Sequence, residues 1–266
     1  MKTLIISRIA EDKRRRFQSQ QMTKLGLDYQ FLDAFEARDL SAEDCQQAAN
    51  GWPSPTLRQD IACFTSHRMA WKAVVERKEK TLILEDDAVL SSDIAEVMET
   101  IAARNDDWNC VYDLEFVPLP HILGKSPFWA DAKAGFKASR VFQNRLGLAA
   151  YIIGPEAAAR MLEDTKRYSL IDAFFWHRAW LKAYQIEPAP VIQQRFLEEH
   201  SDKPVFLRMA NDDTFRPQGR QRKHLLRLWL EAIKARNLLR GAFRSEKRAV
   251  EIDKAKFSLD PAGSAD

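Results

Sequence analysis

The feature that most constrains this chain is a short apolar run that ends on three adjacent acids. Residues 81–90 read TLILEDDAVL, and the acids are Glu85, Asp86 and Asp87. A run of this length is typical of a buried strand, and in open α/β sheets ligands bind outside the carboxyl ends of the strands. Adjacent carboxylates repel one another unless a cation offsets their charge. The run therefore predicts a metal-binding strand end, and a solvated acidic turn is the alternative.

The alternation of side chains along a strand places Glu85 and Asp87 on one face and Asp86 on the other. Two carboxylates on one face, together with the oxygens of a bound diphosphate, form the hard-oxygen environment that Mg²⁺ and Mn²⁺ prefer. We therefore take Glu85 and Asp87 as candidate metal ligands, with Asp87 favoured.

Length and composition are those of a folded protein without a membrane span. The chain has 266 residues, of which 45% are hydrophobic and 30% are charged. Its three cysteines cannot form a complete disulfide framework, which favours a reducing compartment. The N-terminal apolar stretch is too short for a secretion signal, and no stretch reaches the roughly 20 apolar residues of a spanning helix. These features predict a cytoplasmic protein whose membrane association is at most peripheral.

Strand patterns alternate with helical patterns in the first part of the chain. Strands are predicted at residues 3–7, 29–35, 81–85 and 109–116, and helices at residues 11–25, 41–50, 60–77 and 91–105. Such alternation predicts an α/β fold with a mostly parallel sheet. Residues 117–138 have few periodic signals and predict a long loop over the site. Further strands are predicted at 140–143 and 148–153, and further helices from residue 155 and from near residue 172.

Two segments together resemble the paired signature of glycosyltransferase family 25, which includes bacterial lipooligosaccharide glycosyltransferases. They are residues 58–71, RQDIACFTSHRMAW, and residues 82–87, LILEDD. The positions that agree with the family pattern are Asp60, Ile61, Cys63, Ser66, His67, Trp71, Glu85, Asp86 and Asp87. Ala62 replaces the usual glycine. The resemblance covers roughly residues 1–200 and is most specific in these two segments.

The resemblance implies a GT-A-like, Rossmann-type sheet with flanking helices and a sugar transfer that inverts the anomeric carbon. It implies a nucleotide-sugar donor, taken as a UDP-sugar that carries galactose or glucose, and a divalent cation, Mn²⁺ or Mg²⁺. The implied acceptor is a lipooligosaccharide or another glycan or lipid-linked oligosaccharide. Glu85 and Asp87 are then the metal ligands. The residues expected to contact the donor are Ser7, Arg8, Asp60, Ser66, His67 and Asp86.

Two of these donor residues have structural alternatives. His67 lies within an amphipathic helix and can equally be a partly buried, hydrogen-bonded side chain. Asp60 can cap the same helix. Both alternatives stay open at the level of the sequence.

An inverting transfer needs a base that takes the proton of the acceptor hydroxyl. Asp172 is the first candidate because it resembles the acid at a helix start in the family. Its alternative role is to complement the helix dipole. Asp113 and Glu115 lie one strand period apart on a predicted strand and are the other candidate bases.

The C-terminal part of the chain is strongly basic. Residues 216–248 hold eleven lysines and arginines against two glutamates, interleaved with leucines and other apolar residues. This pattern predicts a basic amphipathic helical extension that contacts an anionic membrane surface, such as the inner face of the cytoplasmic membrane, or packs on the domain. No nucleic-acid recognition motif accompanies the charge. We therefore expect a catalytic domain at 1–215, the extension at 216–256 and a disordered tail at 257–266.

Two other functional classes fit the acid cluster. A metal-dependent phosphotransfer or hydrolysis enzyme can also use carboxylates at a strand end. A noncatalytic binding module with the same nucleotide-sugar fold is the nonenzymatic alternative. Binding of an intact nucleotide sugar would separate the first alternative from a glycosyltransferase.

Overall fold

Strands and helices alternate in the first part of the chain, and six consecutive strands follow between residues 110 and 153. The computed structural model describes residues 1–104, 109–144, 146–165, 170–178, 180–198, 214–218 and 220–260. The strands are β1 (Lys2–Ser7), β2 (Tyr29–Asp33), β3 (Thr56–Leu57), β4 (Thr81–Glu85), β5 (Ala88–Leu90), β6 (Cys110–Asp113), β7 (Glu115–Phe116), β8 (His121–Gly124), β9 (Trp129–Asp131), β10 (Phe136–Gln143), β11 (Ala150–Ile153), β12 (Lys182–Glu187), β13 (Val191–Gln193), β14 (Thr214–Phe215) and β15 (Ser245–Arg248).

The helices cover both faces of the sheet and supply the walls of the clefts described below. They are α1 (Asp12–Lys24), α2 (Ala42–Ala49), α3 (Arg58–Arg77), α4 (Ile94–Ala103), α5 (Pro155–Asp164), α6 (Ile171–Trp176), α7 (Gln194–Glu198) and α8 (Arg220–Gly241). None of the helices within the described part of the chain is long and apolar enough to cross a bilayer.

The largest sheet has the strand order β15-β8-β10-β12-β6-β11-β4-β1-β2, and β9 pairs with β10 beside it. Strand β1 is parallel to β2 and β4, and β6 is parallel to β12. Strand β11 is antiparallel to both β4 and β6. Of the six strands from β12 to β2 in this order, five therefore point the same way: β12, β6, β4, β1 and β2. This confirms the predicted α/β class and is consistent with a Rossmann-like GT-A fold.

Strand β4 is buried on both faces, as its continuous apolar sequence requires. Ile83 packs with Phe64 and Trp71 of α3 on one face. Leu82 and Leu84 pack into a second cluster on the other face, together with α4. Burial on both faces explains why the strand reads as an unbroken hydrophobic run rather than an alternating one. It also fixes the point at which the chain emerges at its acids.

The predicted long loop at residues 117–138 is wrong. This stretch contains β8, β9 and the beginning of β10, which build the antiparallel edge of the sheet. These strands are short, and their partners include β15, more than a hundred residues further along the chain. A local pattern does not reveal pairing of that kind, because long-range contacts stabilise such edge strands more than intrinsic preference does.

The C-terminal segment contains a strand as well as the predicted helix. Strand β15 pairs with β8 in register Arg248 to His121 and so extends the main sheet. Phe257 packs against a cluster that includes Ile192 and Phe196. The predicted domain boundary at residue 215 and the predicted disorder of the tail stay predictions, and residues 261–266 lie outside the described residues.

Gly147 lies in a place where no side chain fits. Its φ is +90°, and a Cβ there would lie 2.4 Å from Val117 Cγ2 and 2.9 Å from Glu115 Oε2. Gly135 also has a positive φ, +78°, but a Cβ there would have no atom within 4 Å. The two glycines share the backbone strain and differ in the space around them.

We expect Gly147→Ala to lower the free energy of unfolding more than Gly135→Ala. Both variants carry the roughly 1–2 kcal/mol cost of a left-handed non-glycine residue. Gly147→Ala carries about 1–3 kcal/mol more because the methyl group must displace packed atoms. Urea unfolding of the two variants would measure the difference, and equal losses would show that the neighbours of Gly147 yield without cost.

Candidate active site

A first cleft lies where the parallel strands β1 and β4 end side by side. Ile6 pairs with Glu85 in register, so the residues that follow both strands meet at one edge of the sheet. The cleft encloses about 420 Å³, which is within the range of small-molecule sites. Its lining residues are Ile6, Ser7, Arg8, Arg14, Ala34, Phe35, Glu36, Ala37, Gln59, Ala62, Cys63, Ser66, His67, Glu85, Asp86 and Asp87.

Asp86 ties the end of β4 to the N-terminal part of the chain. Its Oδ2 accepts a hydrogen bond of 2.8 Å from the Ser7 hydroxyl, and its Oδ1 forms a 2.7 Å ion pair with Arg14 Nη1. The Gln18 amide donates to the backbone oxygens of Asp86 at 3.1 Å and Ala88 at 2.7 Å. Both carboxylate oxygens of Asp86 thus already have partners. The carboxylate holds the turn in shape and presents Arg14 to the cleft.

A chain of hydrogen bonds orients the carboxylate of Glu85. Trp71 Nε1 donates to the Tyr151 hydroxyl at 2.8 Å, and that hydroxyl lies 2.9 Å from His67 Nδ1. His67 Nε2 lies 3.3 Å from Glu85 Oε1. An indole N–H can only donate, so the Tyr151 hydroxyl accepts from Trp71 and can donate its own proton to His67 Nδ1. The proton of His67 then lies on Nε2, which donates to Glu85.

Two opposing effects set the ionisation of Glu85. Burial alone would raise the pKa of Glu85, but the interactions with His67 and the charges of Arg195 and Arg14 hold this pKa below its usual value. The side chain of Glu85 is 28% exposed while that of His67 is buried. Glu85 is therefore a carboxylate that stays ionised and reaches the cleft.

Asp87 is the least satisfied acid of the cluster. Burial, followed by the negative charges of Glu85 and Asp86, raises the pKa of Asp87 to about 6. Its Oδ1 is buried and has no hydrogen-bond partner among the described residues. An acceptor of this kind is costly to leave unpaired. Carboxylate oxygens are the donor type that a hard divalent cation prefers, and the role of Glu85 and Asp87 as metal ligands stays a prediction.

Cys63 suggests a second ligand set. Among the described residues, the potential ligand atoms of Cys63, His67 and Glu85 lie within 4.8 Å of one another. Burial, and then the charge of Glu85, raise the pKa of the Cys63 thiol well above its usual value. A neutral thiol and an imidazole nitrogen that keeps its proton are poor ligands. The carboxylate pair therefore suits Mg²⁺ or Mn²⁺ better than this group does.

A second cleft adjoins the first, and Cys63 lines both. It encloses about 870 Å³. Its lining residues are Trp52, Pro53, Ser54, Asp60, Cys63, Leu146, Leu170, Ile171, Asp172, Ala173, His177, Arg195, Arg227, Leu230, Glu231 and Lys234. Helices α3, α6, α7 and α8 thus contribute to one wall or another. The acids of β4 and the candidate base lie on either side of the same junction.

Asp172 is in the first turn of α6 and half-buried in the second cleft. Burial, and then the charge of Glu85, raise the pKa of Asp172 to about 6, although a hydrogen bond with the Gly147 backbone and the charges of His67 and Arg195 act against that rise. A carboxylate with this pKa is largely ionised at neutral pH and is still basic enough to accept a proton.

Asp113 and Glu115, the other candidate bases, are both buried and line neither of these clefts as the structure describes them. Burial raises the pKa of Asp113 to about 8, and its carboxylate accepts hydrogen bonds from the Glu115 backbone and from Asn144. Burial also raises the pKa of Glu115 well above its usual value, and its Oε2 accepts a 2.7 Å bond from Ala149 N. The chain changes sheets between them. Asp172 is therefore better placed to meet a ligand.

Of the remaining predicted donor residues, two form hydrogen bonds with the backbone and one is exposed. Ser66 Oγ accepts from Phe35 N at 2.9 Å and so fixes a wall of the first cleft. Asp60 accepts from Leu57 N at 2.9 Å, which confirms the capping alternative, and it lines the second cleft rather than the first. Arg8 is exposed at the first cleft and pairs with Glu11. Direct donor contacts stay predictions for all of these residues.

Two arginines complete the site and were not among the predicted residues. Arg14 pairs with Asp86, and Arg195 of α7 lines the second cleft and lowers the pKa values of Glu85, Asp87 and Asp172. Arg14 belongs to a run of four basic residues at 13–16 that gives no sign of which one turns inward. Arg195 follows β13 in sequence. Strand β13 pairs with β5, which begins directly after the acids, and this pairing brings Arg195 close to them.

The sequence is similar to those of known glycosyltransferases. The family model "Glycosyltransferase family 25 (LPS biosynthesis protein)" matches residues 1–176. Over 63 residues the chain is 38% identical to procollagen galactosyltransferase 2 of Mus musculus and 36% identical to the Homo sapiens protein of the same name. Each match covers 22% of this chain and 10% of the relative.

In the absence of metal, we expect Asp87→Asn to be more stable than the unchanged protein, and we expect this gain to be larger at neutral pH than at pH 4. The pKa of Asp87 is raised from 3.8 to about 6, so the stability of its protonated form is present below pH 3.8 and is lost as the pH rises through 6. The amide cannot ionise and keeps that stability. Unfolding of both proteins in a chelating buffer from pH 4 to 7.5 would measure the difference, which should grow with pH. A difference that stays constant would contradict the unfavourable burial of this charge.

Proposed function

The chain belongs to glycosyltransferase family 25, and on that basis we propose that it transfers galactose or glucose from a UDP-sugar to a lipooligosaccharide or a related glycan, with inversion at the anomeric carbon. One observation carries the proposal. The acid cluster of β4 and Asp172 line two clefts that share Cys63. This arrangement suits a donor held on one side of the reacting carbon and an acceptor on the other. The galactosyl transfer in the names of the two mammalian relatives supports a hexose donor.

The first cleft would hold the donor. Arg8 and Arg14 supply positive charge for a diphosphate, and Arg14 is already fixed by its ion pair with Asp86. The hydroxyls of Ser7 and Ser66 are hydrogen-bonded to Asp86 and to the Phe35 backbone, so these serines would fix the shape of the cleft. A cleft built in this way binds through a preorganised charge pattern and needs little rearrangement.

Glu85 and Asp87 would hold the divalent cation, Mn²⁺ or Mg²⁺. Glu85 is oriented by His67 and stays ionised, while Asp87 has a buried oxygen without a partner. When bound, such a cation neutralises the charge that develops on a diphosphate leaving group. Binding would also offset the repulsion between the two carboxylates, which is the second cause, after burial, of the raised pKa of Asp87.

Asp172 would act as the base. Its carboxylate would accept the proton of the acceptor hydroxyl as that oxygen attacks the anomeric carbon. The Gly147 backbone holds the carboxylate, and burial together with the charge of Glu85 raises the pKa of Asp172 to about 6. Below this pH the base would be protonated, so transfer should fall as the pH drops through 6. The aromatic residues that follow Asp172 on α6 are buried core residues, which gives the base a rigid support.

The acceptor and the place of action follow from the same proposal. A lipid-linked acceptor is held at a membrane, and we therefore place the enzyme in the cytoplasm and peripherally on the inner face of the cytoplasmic membrane. The family membership favours this reading over a phosphotransfer or hydrolysis enzyme and over a noncatalytic binding module.

A panel of nucleotide sugars tests the proposed activity. Thermal shifts with and without Mn²⁺ would identify the donor, since a ligand stabilises the folded state by mass action. Incubation of that donor with a truncated lipooligosaccharide, followed by analysis of the glycan, would establish transfer and the configuration of the new bond. Release of free sugar without a glycan product would instead favour the hydrolytic alternative.

We expect Asp172→Asn to keep the affinity for donor and metal and to lose transfer by roughly 10²- to 10⁴-fold, the usual range for general acid–base catalysis. Calorimetry with donor and Mn²⁺, the melting temperature and the turnover should be measured on one preparation. Asp164→Asn is a matched control, because Asp164 is hydrogen-bonded to Trp180 and is not among the residues that line the two clefts. If Asp172→Asn changes stability only slightly and turnover within a few-fold, the residue is a dipole partner.

A further inference from the structure

Helix α8 carries two apolar stripes on opposite sides. One stripe faces the domain and is formed by the buried or half-buried Leu226, Leu230 and Ile233, and Asn237 and Gly241 continue the same side of the helix. The other faces outward, with the spacing of three and four residues that places side chains on one side of a helix. Its members are Leu225, Leu228, Ala232, Ala235 and Leu239. Packing on the domain thus accounts for only one of the two stripes.

The outward stripe is apolar and accessible. Leu225 and Leu228 are each 67% exposed, and Leu239 is 75% exposed. Phe243, directly after the helix, is 96% exposed. None of these side chains belongs to a hydrophobic cluster formed by the described residues. A continuous apolar stripe of this kind marks a surface that binds something.

Cations border the stripe and indicate what it binds. Arg236 and Arg240 lie along one edge, whereas Arg227 lies along the other edge together with Glu231, and all four are exposed. Positive charge is therefore concentrated along the edge with Arg236 and Arg240. Trp229, at the edge with Arg236, is 49% exposed and has the Arg178 guanidinium 5.8 Å from its ring centroid. Tryptophan and basic residues beside an apolar face are typical of helices that lie in the plane of a bilayer surface.

We propose that the outward stripe of α8 docks on a bilayer of anionic lipid, with Leu225, Leu228, Leu239 and Phe243 inserted between the headgroups. A second copy of the chain is a poorer occupant. Two such helices packed on each other would bring their bordering arginines together, and like charges at close range repel. Anionic headgroups instead attract these cations, by about 1 kcal/mol for each one near the surface.

The docked orientation places the second cleft close to the bilayer surface. The use of this cleft by an acceptor rests on the proposed function. Leu230 of the inward stripe, together with Arg227 and Lys234, lines that cleft. With the outward side of the helix on the lipid, the second cleft opens within a helix diameter, about 10 Å, of the bilayer surface. An acceptor glycan attached to lipid would then reach Asp172 without leaving the membrane.

Vesicle sedimentation with the full-length protein tests the docking independently of any transfer assay. Vesicles of neutral phosphatidylcholine and vesicles with added phosphatidylglycerol would be compared at low and high salt. The protein should bind the anionic vesicles, and high salt should release much of it. The double variant Leu228→Glu, Leu239→Glu should bind the anionic vesicles at least roughly tenfold more weakly, because it loses two inserted apolar groups and adds two negative charges.

The matched control is Ile9→Glu, because Ile9 is 65% exposed but lies outside α8. It should bind the anionic vesicles nearly as the unchanged protein does.

Equal binding by the double variant and the unchanged protein, or no binding by either, would overturn the proposal. A concentration-dependent dimer that the double variant abolishes would assign the stripe to a second copy. Loss of the melting transition in the double variant would show that the chain itself covers the stripe. Donor affinity, measured on the same preparations, would separate failure of docking from failure of the proposed activity.

Discussion

The candidate site depends on the hydrogen-bond chain from Trp71 through Tyr151 and His67 to Glu85. It links α3, the antiparallel strand β11 and the end of β4, so the main core and the cleft share its members. His67 also stacks on Tyr151, with ring centroids 5.8 Å apart. Trp71 Nε1, the Tyr151 hydroxyl and both ring nitrogens of His67 all have partners, and a buried network that is satisfied in this way holds one geometry. Glu85 is consequently presented to the cleft in a fixed orientation.

The acids around Glu85 are held together at an electrostatic cost. Burial, and then the charge of Glu85, raise the pKa values of Asp87 and Asp172. Arg195 near both acids and Arg14 near Asp87 offset only part of this rise. Such a site is most stable when further positive charge arrives. Functional sites commonly give up stability in this way.

The sequence predicts local features of the site better than distant contacts. The strand that ends at Glu85, the long helix with His67 and the cap formed by Asp60 follow from nearby residues, and all three are confirmed. The edge strands β8, β9 and β15 were missed because their pairing joins remote segments. Arg195 was missed for the same reason, since only the pairing of β13 with β5 brings it to the acids. The burial of Asp113 likewise reflects the tertiary fold.

Coupled binding of metal and donor at residues 85–87 is tested most directly by electron paramagnetic resonance of Mn²⁺ titrated into the protein with and without UDP. If the carboxylates and the diphosphate share one cation, UDP should tighten Mn²⁺ binding by roughly tenfold or more, and Mn²⁺ should tighten UDP binding by the same factor, because coupling is reciprocal. Mn²⁺ and UDP that bind with affinities independent of each other would contradict a shared site.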